Sequence, residues 1–214
     1  MIASIALGIG AAGLAAVAGA AAYTRLRVAA IGRRHPPDGD RVPLPRGGFL
    51  NVVRRVAGAQ EGPPIVLLHG MLTNGRDMTP LVRRLDGRHA LVRIDRPGLG
   101  WSSERTIEPL PAAQAGEIAD ALARLAMPPA LVVGHSYGAT VALALALDVP
   151  DQVAGLVLIA PASHPRPGGV RRQYRLIASP VLGRLVAHTL AVPLADLTLR
   201  GSVASSFSPA EPPA

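Results

Sequence analysis

The stretch 130–147 constrains this chain more than any other. An apolar run, Ala130-Leu131-Val132-Val133, breaks into Gly134-His135-Ser136-Tyr137-Gly138 and passes directly into the apolar helical pattern of 139–147. Aliphatic and β-branched residues ending at a glycine read as a buried strand. No loop separates strand from helix, so the chain reverses within a few residues. Glycines on both sides of Ser136 let the two elements approach with no Cβ in the way. A strand feeding straight into a helix that runs back along it is the building unit of a parallel α/β layer.

The same rhythm extends in both directions. Apolar runs at 49–56, 64–68, 90–94, 130–133 and 153–159 read as strands. Helical patterns lie at 78–85, at 112–125 with Ile118, Leu122 and Leu125 on one face, and at 139–147. The alternation predicts an α/β fold with a mostly parallel sheet and helices on both faces. From Pro161 onward the rhythm stops. Leu176, Ile177, Val181, Leu182, Leu185 and Val186 suggest helices, and Pro180 and Pro193 divide them into short ones.

A chain of 214 residues has room for one such domain with a sizeable core. Without cysteine it has no disulfide, thiolate nucleophile or cysteine metal site, and the redox compartment stays open. The net charge of +8 is unevenly spread: 25–55 carries eight Arg against Asp38 and Asp40, and 166–214 carries six Arg against Asp196 and Glu211. The middle, 56–165, carries eight Arg against ten acids. A nearly neutral middle argues against a nucleic-acid footprint, which needs a continuous basic face.

Residues 1–23 contain no charged side chain, and the run ends at Thr24-Arg25-Leu26-Arg27. That length suffices to span a bilayer. An uncleaved anchor, a cleaved secretory signal and a buried helix are the alternatives; the lack of Lys or Arg ahead of the apolar run weighs against the signal. With basic residues only on its C-terminal side, an anchor places the following domain in the cytoplasm, whereas a signal makes the protein secreted. Gly8-Ile9-Gly10-Ala11-Ala12-Gly13 matches a dinucleotide fingerprint, but no strand precedes it and no acid occurs before Asp38. Small residues that ease helix packing in a membrane account for it better.

Three landmarks follow successive strands: His69-Gly70-Met71, then Asp95-Arg96-Pro97-Gly98-Leu99-Gly100, then Gly134 to Gly138. Together they resemble the α/β-hydrolase family, in particular its branch with a cap domain after the sixth strand, over about residues 41–209. The resemblance implies a nucleophile elbow of Gly134, His135 and Gly138 around Ser136 as nucleophile. It implies an oxyanion hole of the backbone N–H groups of Met71 and Tyr137, with His69 and Gly70 ordering the oxyanion loop. Asp95 is expected to be a structural acid that accepts from nearby turn N–H groups. His135, Met71 and Trp101 are expected either to pack or to line a pocket. Dehalogenase and epoxide-hydrolase members use an aspartate at the elbow, so Ser136 argues against both chemistries.

In this family the acid and then the histidine of the triad follow the serine on later strand ends. Here the acids after Ser136 are Asp148, Asp151, Asp196 and Glu211, and the histidines are His164 and His188, none at such a strand end. A serine hydroxyl without its base is a weak nucleophile. The expectation is therefore a serine hydrolase acting on an ester or related small carbonyl substrate, incomplete in this chain. The alternative is a non-catalytic binding or scaffold protein of the same fold. The parts expected are an anchor at 1–24, a basic linker at 25–40, a partial core at 41–162 and a partial helical cap at 163–214. The partners expected are a small acyl substrate and membrane lipid, with no nucleic acid, no cofactor and no metal; the sequence names no protein partner. With the later strands absent, strand 153–159 becomes an exposed edge.

Overall fold

The computed structural model describes residues 2–56, 62–104, 110–164, 179 and 181–206. The chain divides into two compact units, 37–165 and a helical unit of 1–36 with 166–214.

In the first unit, β1 (Asp40–Pro43), β2 (Phe49–Arg55), β3 (Ile65–Leu68), β4 (Leu91–Ile94), β5 (Ala130–His135) and β6 (Val153–Ile159) form one sheet in the order β1-β2-β4-β3-β5-β6. The β4–β3, β3–β5 and β5–β6 pairs are parallel, and β1–β2 and β2–β4 are antiparallel. Three helices pack on it: α2 (Thr79–Leu85), α3 (Pro111–Arg124) and α4 (Tyr137–Asp148). Val66 and Leu68 join Ile118 and Leu122 of α3 and Val141 and Leu145 of α4 in one core cluster. Ile65 and Leu67 join Val82 of α2 in another. Successive strand residues point to opposite faces, so helices cover both faces. That double burial is why β3 reads as an unbroken apolar run rather than an alternating one.

The five expected strands and three expected helices are present within a residue or two at their ends. Strand β1 is additional. Its sequence, Asp40-Arg41-Val42-Pro43, buries only Val42 and so carries little apolar signal. Strand β6 is the outer strand of the sheet: Leu156 and Leu158 pack toward the larger core cluster, while Val157 and Ile159 are each 41% exposed.

The helical unit contains α1 (Ile2–Arg34), α5 (Leu182–Thr189) and α6 (Ala191–Ser206). Helix α1 continues ten residues past Thr24, through much of the segment expected to be a linker. Arginine is a good helix former, and the stop comes at Pro36-Pro37. Helices α5 and α6 meet at 56°. Pro193 sits in the first turn of α6, where its missing N–H removes no intrahelical bond. Leu176, Ile177, Pro180 and Glu211 lie outside the described residues. Among the described residues one helix is long and apolar enough by itself to cross a membrane, the Gly10–Arg34 part of α1.

Candidate active site

Register brings three chain segments together. Leu68 of β3 lies level with Ile94 of β4 on one side and with Gly134 of β5 on the other. The residues that follow, His69-Gly70, Asp95-Arg96 and His135-Ser136, therefore emerge side by side at one edge of the sheet.

Ser136 has φ 52° and ψ −117°, a conformation that L residues rarely adopt and that costs on the order of 1–3 kcal/mol. It is held there from both sides. Its N–H donates to the carbonyl of Ile159 at 2.9 Å, and its carbonyl accepts from the N–H of Ala139 at 3.1 Å. Serine at a helix N-cap ordinarily uses its hydroxyl to satisfy a first-turn N–H. Ser136 occupies the N-cap of α4 and makes no such bond, so its hydroxyl is left for something else. The flanking glycines are required by contact. A Cβ on Gly138 would overlap the carbonyl oxygens of Leu68 and His69, and one on Gly134 would lie 2.6 Å from the nitrogen of Ala139.

The His-Gly turn faces this elbow. A Cβ on Gly70 would lie 3.5 Å from Cβ of Ser136 and 3.1 Å from Nδ1 of His135. Tyr137 opens α4, where the first N–H groups project from the positive end of the helix. Met71 is exposed, and Leu72 beside it has φ 58°.

His69 is fully buried and its two ring nitrogens have different partners. Nδ1 lies 2.9 Å from the carbonyl of Gly70 and 3.2 Å from Oγ1 of Thr73, and Nε2 accepts the backbone N–H of Arg96 at 2.9 Å. Since Nε2 accepts, the proton sits on Nδ1 and is donated to the Gly70 carbonyl. Burial, and then the neighbouring charge of Arg96, push its pKa down to about 4. The ring is neutral, enclosed and occupied, an ordering group for the loop between β3 and α2.

Arg96 was not singled out from sequence. It is 1% exposed: Nε donates to the carbonyl of His69 at 2.8 Å, one terminal nitrogen to the carbonyl of Gly70 at 2.7 Å, and the other to Oε1 of Gln114 at 2.7 Å. Its guanidinium carbon lies 5.1 Å from the centroid of the Tyr137 ring. One side chain thus ties together the His-Gly turn, α3 and the elbow. The available signal was a charged residue directly after a buried strand, wedged between Asp95 and Pro97. Asp95 is buried and accepts from Gly75 N–H at 2.6 Å, Trp101 N–H at 2.9 Å and Asn51 Nδ2 at 2.9 Å, which is the structural use expected of it.

His135 is half-exposed and lies 3.7 Å from the carboxylate of Asp77. Trp101 is 37% exposed. A hollow of about 170 Å³ lined by Arg54, Pro64, Ala90, Leu91 and Met127 lies at the opposite ends of the parallel strands and does not include Ser136. No hydrogen-bond partner of Ser136 Oγ occurs among the described residues. Asp148 is exposed at the far end of α4, about 18 Å away at 1.5 Å per residue. His164 is exposed with Nδ1 3.0 Å from Ser163 Oγ, and Asp196 is engaged by Tyr23 and Arg27. Among the described residues no group of three or more His, Asp or Glu could hold a metal ion.

A model of the alpha/beta hydrolase fold matches residues 63–203. The chain is 40% identical over 100 residues to the pimeloyl-[acyl-carrier protein] methyl ester esterase of Xanthomonas oryzae, a match covering 47% of this chain and 37% of that protein. The chain thus spans well under half the length of that relative. Among solved structures it is similar to the haloalkane dehalogenase DatA from Agrobacterium tumefaciens C58 (27% identity, TM-score 0.57, covering 75% of this chain and 55% of that one). It is also similar in fold to an esterase from Exiguobacterium antarcticum (22% identity, TM-score 0.57, covering 65% and 54%).

Proposed function

Because the chain belongs to the α/β-hydrolase family, we propose that it is a membrane-anchored serine hydrolase, with Ser136 as the nucleophile toward an ester or related small carbonyl substrate. The observation that carries this reading is the backbone of Ser136, held at positive φ between strand and helix with its hydroxyl withheld from capping. A strained residue kept in place by its surroundings is characteristic of a working site.

On this reading Ser136 Oγ attacks the carbonyl carbon, and the developing oxyanion is met by the N–H groups of Tyr137 and Met71. Donors fixed in this way are worth about 3 kcal/mol each in the barrier. His69 and Arg96 position the Met71 donor by fixing the carbonyls on either side of the His69–Gly70 turn. The hydroxyl proton needs a general base. Among the described residues no histidine or carboxylate bonds to Ser136 Oγ, so no residue is assigned that role. A second reading has the same elbow and loop bind a carbonyl ligand without turning it over.

A fluorophosphonate probe separates the two. Labelling of the 214-residue chain that disappears in Ser136→Ala supports an activated serine, whereas folded protein that never labels sinks catalysis in this chain.

The anchor is supported by α1, which is uncharged up to Thr24 and has only 6% of its apolar stretch buried within the protein. Arg25, Arg27, Arg33 and Arg34 on the C-terminal side support a cytoplasmic position for the hydrolase unit. Retention in the membrane pellet after a carbonate wash is expected; recovery in the soluble fraction rejects the anchor.

A further inference from the structure

The helical unit exposes more leucine than a water-facing surface should. On α6 and the residue before it, Leu190, Leu194 and Leu197 recur at the four- and three-residue spacing of one helix face, and they are 48%, 52% and 81% exposed. On α5, Leu182 and Leu185 are about half-exposed, while Thr189 one turn on is buried. Contiguous exposed apolar surface of this kind marks an interaction site.

The contacts with α1 say what covers it. Thr24 Oγ1 donates to the carbonyl of Thr189 at 2.8 Å, Tyr23 OH donates to Asp196 at 2.8 Å, and Arg27 makes a two-pronged pair with the same carboxylate at 2.9 and 2.8 Å. All three ties fall at 23–27 of α1, where the uncharged run ends and the arginines begin. In a helix that crosses a bilayer, that point is the membrane–water boundary, where tyrosine and arginine collect. Helices α5 and α6 are therefore fastened to α1 at headgroup depth. By sequence the helical unit holds ten Arg against Asp196 and Glu211, a sign that complements anionic headgroups. The 56° bend, with α5 and α6 both tied to α1 at 23–27, suits a pair lying in the interface plane better than a second span.

We propose that the α5–α6 elbow is a second membrane element, lying in the headgroup and upper acyl region of an anionic bilayer beside α1, with Leu185, Leu194 and Leu197 immersed. The proposal rests on the reading of α1 as a membrane span.

The absence of cysteine allows one position to be labelled at a time. Leu14→Cys, Leu185→Cys, Leu197→Cys and Leu147→Cys are each coupled to an environment-sensitive nitrobenzoxadiazole dye. The full 214-residue chain is reconstituted in phosphatidylcholine vesicles with a minority of phosphatidylglycerol, with or without brominated lipid. Leu147, 81% exposed on α4, serves as the control. The expected result is a blue shift and quenching at Leu14, Leu185 and Leu197, with bromines placed shallow in the acyl chain acting best on the last two, and no change at Leu147. Quenching at Leu14 alone overturns the proposal and leaves the anchor standing. No quenching anywhere overturns both, and quenching at Leu147 as well shows non-specific adsorption and overturns the proposal.

Discussion

Arg96 and His69 are joined twice: the arginine backbone N–H donates to the imidazole Nε2 at 2.9 Å, and its Nε donates to the histidine carbonyl at 2.8 Å. Neither group has water as an alternative, since both residues are buried. The guanidinium also donates to the carbonyl of Gly70 and the amide oxygen of Gln114, so its loss removes a donor from three buried acceptors at once.

Arg96→Met is expected to destabilise the protein by about 2–4 kcal/mol, the cost of removing the donors from buried carbonyl-type acceptors. Arg96→Lys recovers little, because an ammonium cannot reproduce the planar fork. Denaturant midpoints of the two variants check this; a Lys variant as stable as wild type contradicts it.

His69 gives stability a pH dependence of known sign. Its folded-state pKa of about 4 is below the ordinary 6.5, so between these values the unfolded chain binds the proton and the folded chain does not. Its contribution is therefore complete above pH 6.5 and is lost as pH falls toward 4, by up to roughly 3 kcal/mol. Urea unfolding of wild type and His69→Asn across that window should differ in slope, with the variant flatter.

The two kinds of glycine in the core unit should respond oppositely to alanine. Gly138→Ala forces a methyl against the backbone oxygens of Leu68 and His69, which cannot rotate away, and a loss of about 3 kcal/mol or failure to fold is expected. Gly116 on α3 is exposed with open space at its Cβ, and Gly116→Ala is expected to stabilise by about 0.5–1 kcal/mol. Thermal melts of the pair decide the matter.

Ser136→Gly removes the Cβ that makes φ 52° costly, so melting temperature should rise by an amount equivalent to about 1 kcal/mol while probe labelling is abolished. A glycine variant no more stable than wild type indicates that the elbow stores no strain.

How much of this was legible in the sequence depended on burial. Strands β3 and β5 announced themselves because both faces are covered and Ile65–Leu68 and Ala130–Val133 are aliphatic throughout. Strand β1, with Val42 as its one buried residue, did not. The elbow was legible because Gly138 is pressed against the backbone of the neighbouring strand and Gly134 against the start of α4, constraints that show in residue type. Arg96 was not, because nothing in the type of an arginine says whether its charge faces water or three carbonyl-type oxygens in the interior. The end of α1 was not legible in the charge pattern, because the last uncharged residue is a boundary of polarity and not of helix, which runs to Arg34 just before the prolines.

The level pairing of Leu68 with both Ile94 and Gly134 has a consequence for error. A slip of one residue in β3 would exchange Val66 and Leu68 with Ile65 and Leu67 between the two core clusters, and it would carry His69 and Gly70 away from Ser136 in the same step. A molecule with a misassembled site is thereby also one with a misassembled interior, open to proteolysis. Geometric fidelity at the serine is inspected by the same forces that inspect the fold.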